Sequence, residues 1–412
     1  MRASHRARSA SEAIVERVIA SYLRPGVANL APGVAYWSPP TLTMLQAGAL
    51  RGSSGYGDCQ GEPALLDALR CKLECEDGES MSQRDVMVTH GANQAFVQAL
   101  LCLCDVGDEC VLFRPYYFSH LVAMQLLGVR PVIADCDPRT GQPDVDSVRG
   151  ALRRPGSRVR AVVLVSPSNP SGTVVQPEVT QQLRAECEKS GAWLVADLAY
   201  EHFSFGAVGH SGDHSSALGG SVLPAQTDDR GPVAADNLVT LRTFSKSYGL
   251  AAWRVGYTSY PSWLHEDMLK VQDTMPTHAC RASQRVALAA QTHLGTAWVR
   301  DRVSSLEPAR AALWSALAPL RQSEAQPVQQ PAGAFYYWLR LPSHMVEEEE
   351  AVIRWLAEEH ALLLLPGSAF GAPGYLRLSY GGLGVAGEIA AVAERLSRAA
   401  EMLARGSGPA AR

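Results

Sequence analysis

The stretch Asn237–Tyr257, NLVTLRTFSKSYGLAAWRVGY, joins an apolar run to a lysine flanked by small hydroxyls. Leu238, Val239 and Leu241 have the continuous apolar character of a strand buried on both faces. Thr243, Ser245 and Lys246 follow at its end, and Arg254 lies eight residues past the lysine. Most lysines are solvated surface charges. Lys246 differs because a strand end, hydroxyls and a fixed cation surround it. Burial and a neighbouring positive charge both depress an ammonium pKa, and that depression makes a lysine nucleophilic near neutral pH. The hydroxyls and Arg254 suit a phosphate. A lysine and a phosphate site at one strand end point to a Schiff base with pyridoxal phosphate.

The same pattern recurs on the N-terminal side. DVMVT precedes GANQAFVQALLCLC, ECVLF precedes a helix from about Phe118, and RPVIA follows. RAVVLV then precedes SPSNPSG, and AWLVAD precedes LAYEHF. Short apolar strands alternating with helices imply an α/β fold with a mostly parallel sheet sandwiched by helices. Ligands in such sheets collect at the carboxyl ends of the strands. Gly91, Ala92 and Asn93 lie at one such end, where backbone N–H groups at a helix start can cradle a phosphate. Asn169 occupies a Pro/Gly turn at the next, and Asp197 ends AWLVAD with Tyr200 three residues on.

Further out, a helical pattern (Ala13, Ile14, Val18, Ile19, Tyr22, Leu23) with Ser11 as its cap opens the chain. LAPGVAYWSPP (Leu30–Pro40) is extended, with Tyr36 and Trp37 placed to line a substrate. GYGDCQG has the spacing GxGxxxG with no strand before it, so it is no dinucleotide fingerprint. A helix starts at Pro63. Residues 206–236, rich in Gly, Ser, Asp and Pro, read as an insertion loop. Its His210 and His214 lack the further ligands a metal needs. A helical segment from Ser304 to Leu320 begins a second, α+β domain, with AFYYWLRL a strand and MVEEEEAVIRWLAEEH a helix whose glutamates form a solvated start. HALLLLPGSAFG and GYLRLSYGG are strand-like. The expected organisation is 1–48 as part of a small domain, 49–300 as the large domain, and 301–412 completing the small one. Arg377 sits inside an apolar strand, where a guanidinium needs either a salt bridge or a substrate carboxylate.

Composition removes several classes. At 412 residues, 47% apolar, 19% charged and a formal net charge of −4, there is no electrostatic case for nucleic acid or an anionic membrane. No apolar run approaches the roughly 18 residues of a transmembrane helix. The nine cysteines, without CxxC pairs, read as reduced thiols, which favours the cytoplasm over a secreted setting.

TFSKSYGLAAWRVGY, SPSNPSG, DLAY, HGANQAF and PGSAFGAPGYLRLSY together resemble the blocks of class I/II aminotransferases, the fold-type I pyridoxal phosphate enzymes, in the family's order from about Ala13 to about Leu403. LAPGVAYWSPP, MVTHGANQAF, FRPYYF, WRVGYTSY and VQDTMP also look like the plant-type aromatic aminotransferases, from which the insertion departs. The resemblance implies that Lys246 carries the cofactor and shuttles the proton, and that Asp197 pairs with the pyridine nitrogen. It implies that Asn169 and Tyr200 bond the phenolic oxygen, that Tyr117 stacks on the ring, and that Ala92, Asn93, Thr243, Ser245 and Arg254 hold the phosphate. Thr243 stands where other members have Ser. Tyr56 matches the tyrosine that reaches the neighbouring subunit's phosphate, which implies a homodimer with shared active sites. Arg377 and Asn169 would bind the substrate carboxylate, with Gly33 and Trp37 lining the site.

The resulting expectation is an aminotransferase moving an amino group from an aromatic amino acid or methionine to a 2-oxo acid such as indolepyruvate or 2-oxoglutarate. A lyase of the cysteine-conjugate or aminocyclopropane carboxylate type shares the first proton transfer, and an aspartate-type enzyme would want a second cation, for which Arg281 and Lys270 are available. A regulator's ligand-sensing domain would want a DNA-binding domain ahead of the first helix, where only about a dozen residues stand.

Overall fold

The computed structural model describes residues 3–12, 14–40, 55–205, 236–322 and 330–409. After the two-residue β1 (Ala28–Asn29), seven strands build one sheet: β2 (Arg84–Thr89), β3 (Glu109–Arg114), β4 (Arg130–Asp135), β5 (Val159–Val165), β6 (Trp193–Asp197), β7 (Leu238–Thr243) and β8 (Gly256–Pro261). Their order is β2-β8-β7-β6-β5-β3-β4, and β8 alone runs antiparallel to its neighbours. Strands β6, β7 and β8 are buried along their whole length, as continuous apolar runs require. The period of two sorts β7 between the two faces. Val239 and Leu241 pack with Ala95 and Phe96 of the helix Ala92–Leu103, while Leu238 packs with Leu183 and Cys187 of the helix Pro177–Lys189. Each Val, Leu or Phe among these contributes about 1.5–3 kcal/mol when fully buried.

Register gathers the strand ends at one edge. Asp197 lies opposite Val165 and Leu241, and Gly256 lies opposite both Thr243 and Thr89. On the far side of that edge, β9 (Tyr336–Arg340), β11 (Leu365–Pro366) and β12 (Tyr375–Ser379) form an antiparallel sheet in the order β11-β12-β9, and β10 (Leu362–Leu363) pairs in parallel with β1. Arg377 stands opposite Leu365 on one neighbour and Trp338 on the other.

Several local expectations change. The first helical region is two helices, His5–Ser9 and Ile14–Tyr22, and the backbone N–H of Ser11 bonds Gln125 at 2.8 Å. The long helix from Ser304 is broken at Ser305 and Leu306, between Gly295–Ser304 and Glu307–Ala316. The glutamate run is not a solvated start. Glu349 is buried and accepts from the backbone N–H groups of Gly367, Ser368 and Gly374 at 2.9–3.2 Å, while Glu350 bonds Tyr22 and Arg17 of the N-terminal helix. The insertion, with His210 and His214, lies outside the described residues except Asp236, which pairs with Arg84 and Arg184. Among the described residues no helix is long and apolar enough to cross a membrane, and no group of three or more potential ligands could hold a metal.

Candidate active site

Thr243 ends β7 by capping the short helix Phe244–Ser247: its Oγ1 accepts from the Ser245 N–H at 3.1 Å and donates to Ser245 Oγ at 2.9 Å. That turn presents Lys246, whose ammonium donates to the Gly33 carbonyl. Burial, then the charges of Arg377 and Arg254, push the Lys246 pKa down to about 8, against an opposing pull from Asp197. The segment carrying Gly33 is fastened to the lysine turn. Trp37 Nε1 donates to the Ser247 carbonyl at 3.0 Å, and Gly249, with φ +65°, lets the Trp37 carbonyl approach to where a Cβ would stand 2.0 Å away. Trp37, expected to line the substrate, is itself held by these contacts. It is buried, stacked on Phe203, with its donor engaged beneath the site.

The residues expected to hold a phosphate meet at one place. Gly91, with φ +77°, opens the helix Ala92–Leu103 without a side-chain cap, so the N–H groups of Ala92 and Asn93 lack intrahelical partners. Arg254 lies over Gly91, 2.9 Å from where a Cβ would be, and reaches the His90 carbonyl at 3.4 Å. Asp197 is buried; its Oδ1 accepts from the Ala199 N–H at 3.0 Å and its Oδ2 faces His120 Nε2 at 3.1 Å. Tyr117 caps the helix Phe118–Leu127 and sets its ring edge-on to His120 at 5.2 Å.

On the opposite wall, Asn169 and Arg377 are joined, with the guanidinium donating to Oδ1 at 2.7 Å and also to the Ala31 carbonyl. Arg377 is 2% exposed, lies 4.4 Å over the Tyr336 ring and 5.1 Å over Phe370, and leaves Nε without a partner. Among the described residues no carboxylate pairs with it. Tyr200 bonds the Tyr336 hydroxyl, and burial raises its pKa well above the ordinary value. Tyr56 stands apart, 88% exposed, its ring edge-on to His278. Two members were absent from the sequence reading. His120 lies one helical turn after Tyr117, a spacing that places both on one face. Tyr336 was hidden in an aromatic strand.

The donor set fits pyridoxal phosphate: an uncapped helix start with a cation and two hydroxyls for the phosphate, a buried carboxylate for the ring nitrogen, and a depressed lysine between them.

Comparison with known proteins agrees with this geometry. The family profile "Aminotransferase class I and II" matches residues 38–396. The aromatic aminotransferase ISS1 of Arabidopsis thaliana is 36% identical over 91% of this chain and 90% of its own length. The aspartate/prephenate aminotransferase of Thermus thermophilus is 29% identical over 87% and 85%. Among solved structures, the aspartate aminotransferase of Thermus thermophilus with maleate superposes with a TM-score of 0.81 at 26% identity, covering 97% of this chain and 100% of the other. The aromatic aminotransferase of Pyrococcus horikoshii gives 0.77 at 25%, covering 93% and 98%.

Proposed function

Because the chain belongs to the class I and II aminotransferases and is a pyridoxal-phosphate-dependent transaminase, we propose that it takes the amino group from L-amino acids with aromatic or thioether side chains. The acceptor is a 2-oxo acid such as indolepyruvate or 2-oxoglutarate. The observation that carries the side-chain class is the state of the spare cations. Arg281 is tied to Glu62 and to the Gly55 carbonyl, and Lys270 is exposed and paired with Asp267, so neither is free for a second substrate carboxylate. The walls near Arg377 are aromatic instead: Phe370 contacts both Phe118 and Trp338, and Tyr116 fills the space beside Gly371. The relative at 36% identity is named for aromatic substrates, whereas relatives named for aspartate stand at 27–29%.

In this reading Ala92, Asn93, Thr243, Ser245 and Arg254 hold the phosphate, Asp197 keeps the ring nitrogen protonated, Tyr117 covers the ring, and Asn169 and Tyr200 bond the phenolic oxygen. Bound pyridoxal phosphate supplies the electron sink that makes the substrate Cα–H acidic. Arg377, preset by Asn169, clamps the α-carboxylate and so aims that C–H bond. Lys246, with a pKa of about 8 before the cofactor binds, would take the proton from the substrate Cα and would give it to C4′ of the cofactor. An exposed Tyr56 supports a homodimer with shared sites, and nine free cysteines support the cytoplasm.

The test is a panel of amino donors with indolepyruvate and with 2-oxoglutarate as acceptors. Tryptophan, phenylalanine, tyrosine or methionine should give the matching new amino acid. A strong preference for aspartate overturns the side-chain class. Pyruvate or ammonia released from a single amino acid without an acceptor overturns transamination in favour of elimination.

A further inference from the structure

We propose that Tyr336 is a positioning residue of this site: its hydroxyl fixes the direction in which Tyr200 donates, while its ring supports the Arg377 guanidinium. The inference rests on the reading that Tyr200 bonds the cofactor's phenolic oxygen. Tyr336 is fully buried in β9, and its Oη is bonded to Tyr200 Oη. A phenol has one proton to give. If Tyr200 gives its proton outward to the phenolic oxygen, the hydrogen bond between the two tyrosines must be donated by Tyr336. A hydroxyl that accepts one hydrogen bond donates more strongly in the next, so Tyr336 strengthens Tyr200 as a donor. The same ring faces Arg377 at 4.4 Å.

The third contact is with Gly33. A Cβ on Gly33 would stand 2.0 Å from Tyr336 Oη and 3.2 Å from Tyr200 Oη. The hydroxyl thus occupies the volume of a side chain at position 33 and lets that backbone lie close enough for its carbonyl to accept from Lys246. One phenol touches the groups expected to hold the cofactor oxygen, the substrate carboxylate and the lysine. A phenylalanine would fill the core equally well, so a packing role leaves the buried hydroxyl unexplained.

The experiment is Tyr336→Phe in the holoenzyme, read first by a pH titration of the bound cofactor's absorbance without substrate. Weaker donation from Tyr200 stabilises the phenolic oxygen's negative charge less, so the imine keeps its proton to higher pH. The midpoint should rise by about half a pH unit or more. In steady state kcat should fall several-fold more than KM rises. A second reading uses the cofactor-free protein: Gly33→Ala should lower the melting temperature more in the wild type than in the Tyr336→Phe background, where the 2.0 Å contact is gone. If Tyr336→Phe fails to fold, Gly33→Ala, which displaces the hydroxyl, must raise the absorbance midpoint in the same direction. An unchanged midpoint in a variant that binds cofactor, or additive melting shifts, overturns the proposal. Failure of the amino-donor panel leaves the absorbance and melting readings intact, because neither uses a substrate.

Discussion

Two lysine–arginine pairs in this molecule contrast in their partners. Lys72 and Arg242 sit in a network behind the sheet edge, where Lys72 reaches Asp77 at 2.9 Å and Glu201 at 3.1 Å, and Arg242 reaches Glu201, Asp77 and Glu79 at 3.0–3.4 Å. Lys246 and Arg377 face the cleft and, among the described residues, meet two carbonyls, an amide oxygen and aromatic faces. Burial alone would push Lys72 down, but Glu201, Tyr257 and Asp77 outweigh it and hold it well above its ordinary value. Burial with like charges takes Lys246 down to about 8. The difference teaches how to tell structure from function among buried charges: a compensated cation holds the fold, and an uncompensated one awaits an anion or a proton transfer.

The comparison breaks most visibly at Lys246. Lys246→Ala should abolish the absorbance of lysine-bound cofactor and lower kcat by about 10^4-fold in a steady-state assay. Activity persisting near the wild-type level would remove the lysine from the mechanism. The two arginines come next. Arg377→Gln should lower kcat/KM by on the order of 10^2- to 10^3-fold, because a desolvated partner of the substrate carboxylate is lost. Denaturant unfolding should show stability unchanged or raised, since a buried charge without a counter-ion has been removed. Arg242→Gln should do the reverse, costing about 3–5 kcal/mol of stability by removing the guanidinium that bridges Asp77, Glu79 and Glu201 and leaving Lys72 and Arg84 to balance three carboxylates, while the folded fraction keeps its turnover. Equal effects of the two substitutions on both readouts would erase the distinction.

How far this was legible in the sequence follows the same line. The strands were readable because burial on both faces writes itself as unbroken Val/Leu runs, and Asp197 and Lys246 were readable because each interrupts such a run at its end. Arg377 was readable as one of two alternatives, and only the fold shows its guanidinium meeting an amide oxygen and a carbonyl. The network was invisible. Lys72 and Glu201 are 129 residues apart, and each alone looks like an ordinary surface charge. His120 gained its meaning only when the helix Phe118–Leu127 was laid against the end of β6. Around Trp37, Gly33 and Pro39 describe a loop but not which side of it faces the core, so its bond to the lysine turn emerges only in the fold.

The two regions should also respond to opposite ends of the pH scale. Folded, cofactor-free protein loses the Lys246 proton near pH 8, whereas the unfolded chain keeps it to about 10.5. Between those values the unfolded state binds more protons, so this lysine's contribution to stability rises with pH. Glu79 acts at the acid end, with the same sign. Burial would raise its pKa, but Arg242 and Arg84 outweigh it and hold it below 4.5, so its contribution is present above that value and lost as pH falls through the folded pKa. In denaturant unfolding the wild type should gain stability relative to Lys246→Met between pH 8 and 10, and its advantage over Glu79→Gln should shrink as pH falls below 4.5. A Lys246→Met difference that stays flat on the alkaline side would mean the lysine is compensated after all.

A third lysine sharpens the comparison by being neither. Lys270 has a carboxylate partner, Asp267 at 2.8 Å, but both are largely exposed. Water screens that pair and already satisfies each charge, so the partner adds little and its loss exposes nothing. Lys270→Ala should therefore leave the unfolding midpoint and the kinetics with aromatic donors unchanged within error. Its one informative readout is the aspartate arm of the donor panel. Were Lys270 to hold the side-chain carboxylate of a dicarboxylic substrate, KM for aspartate would rise in Lys270→Ala while KM for phenylalanine stayed fixed. On the geometry of an exposed, already paired ammonium, the two KM values should move together or not at all.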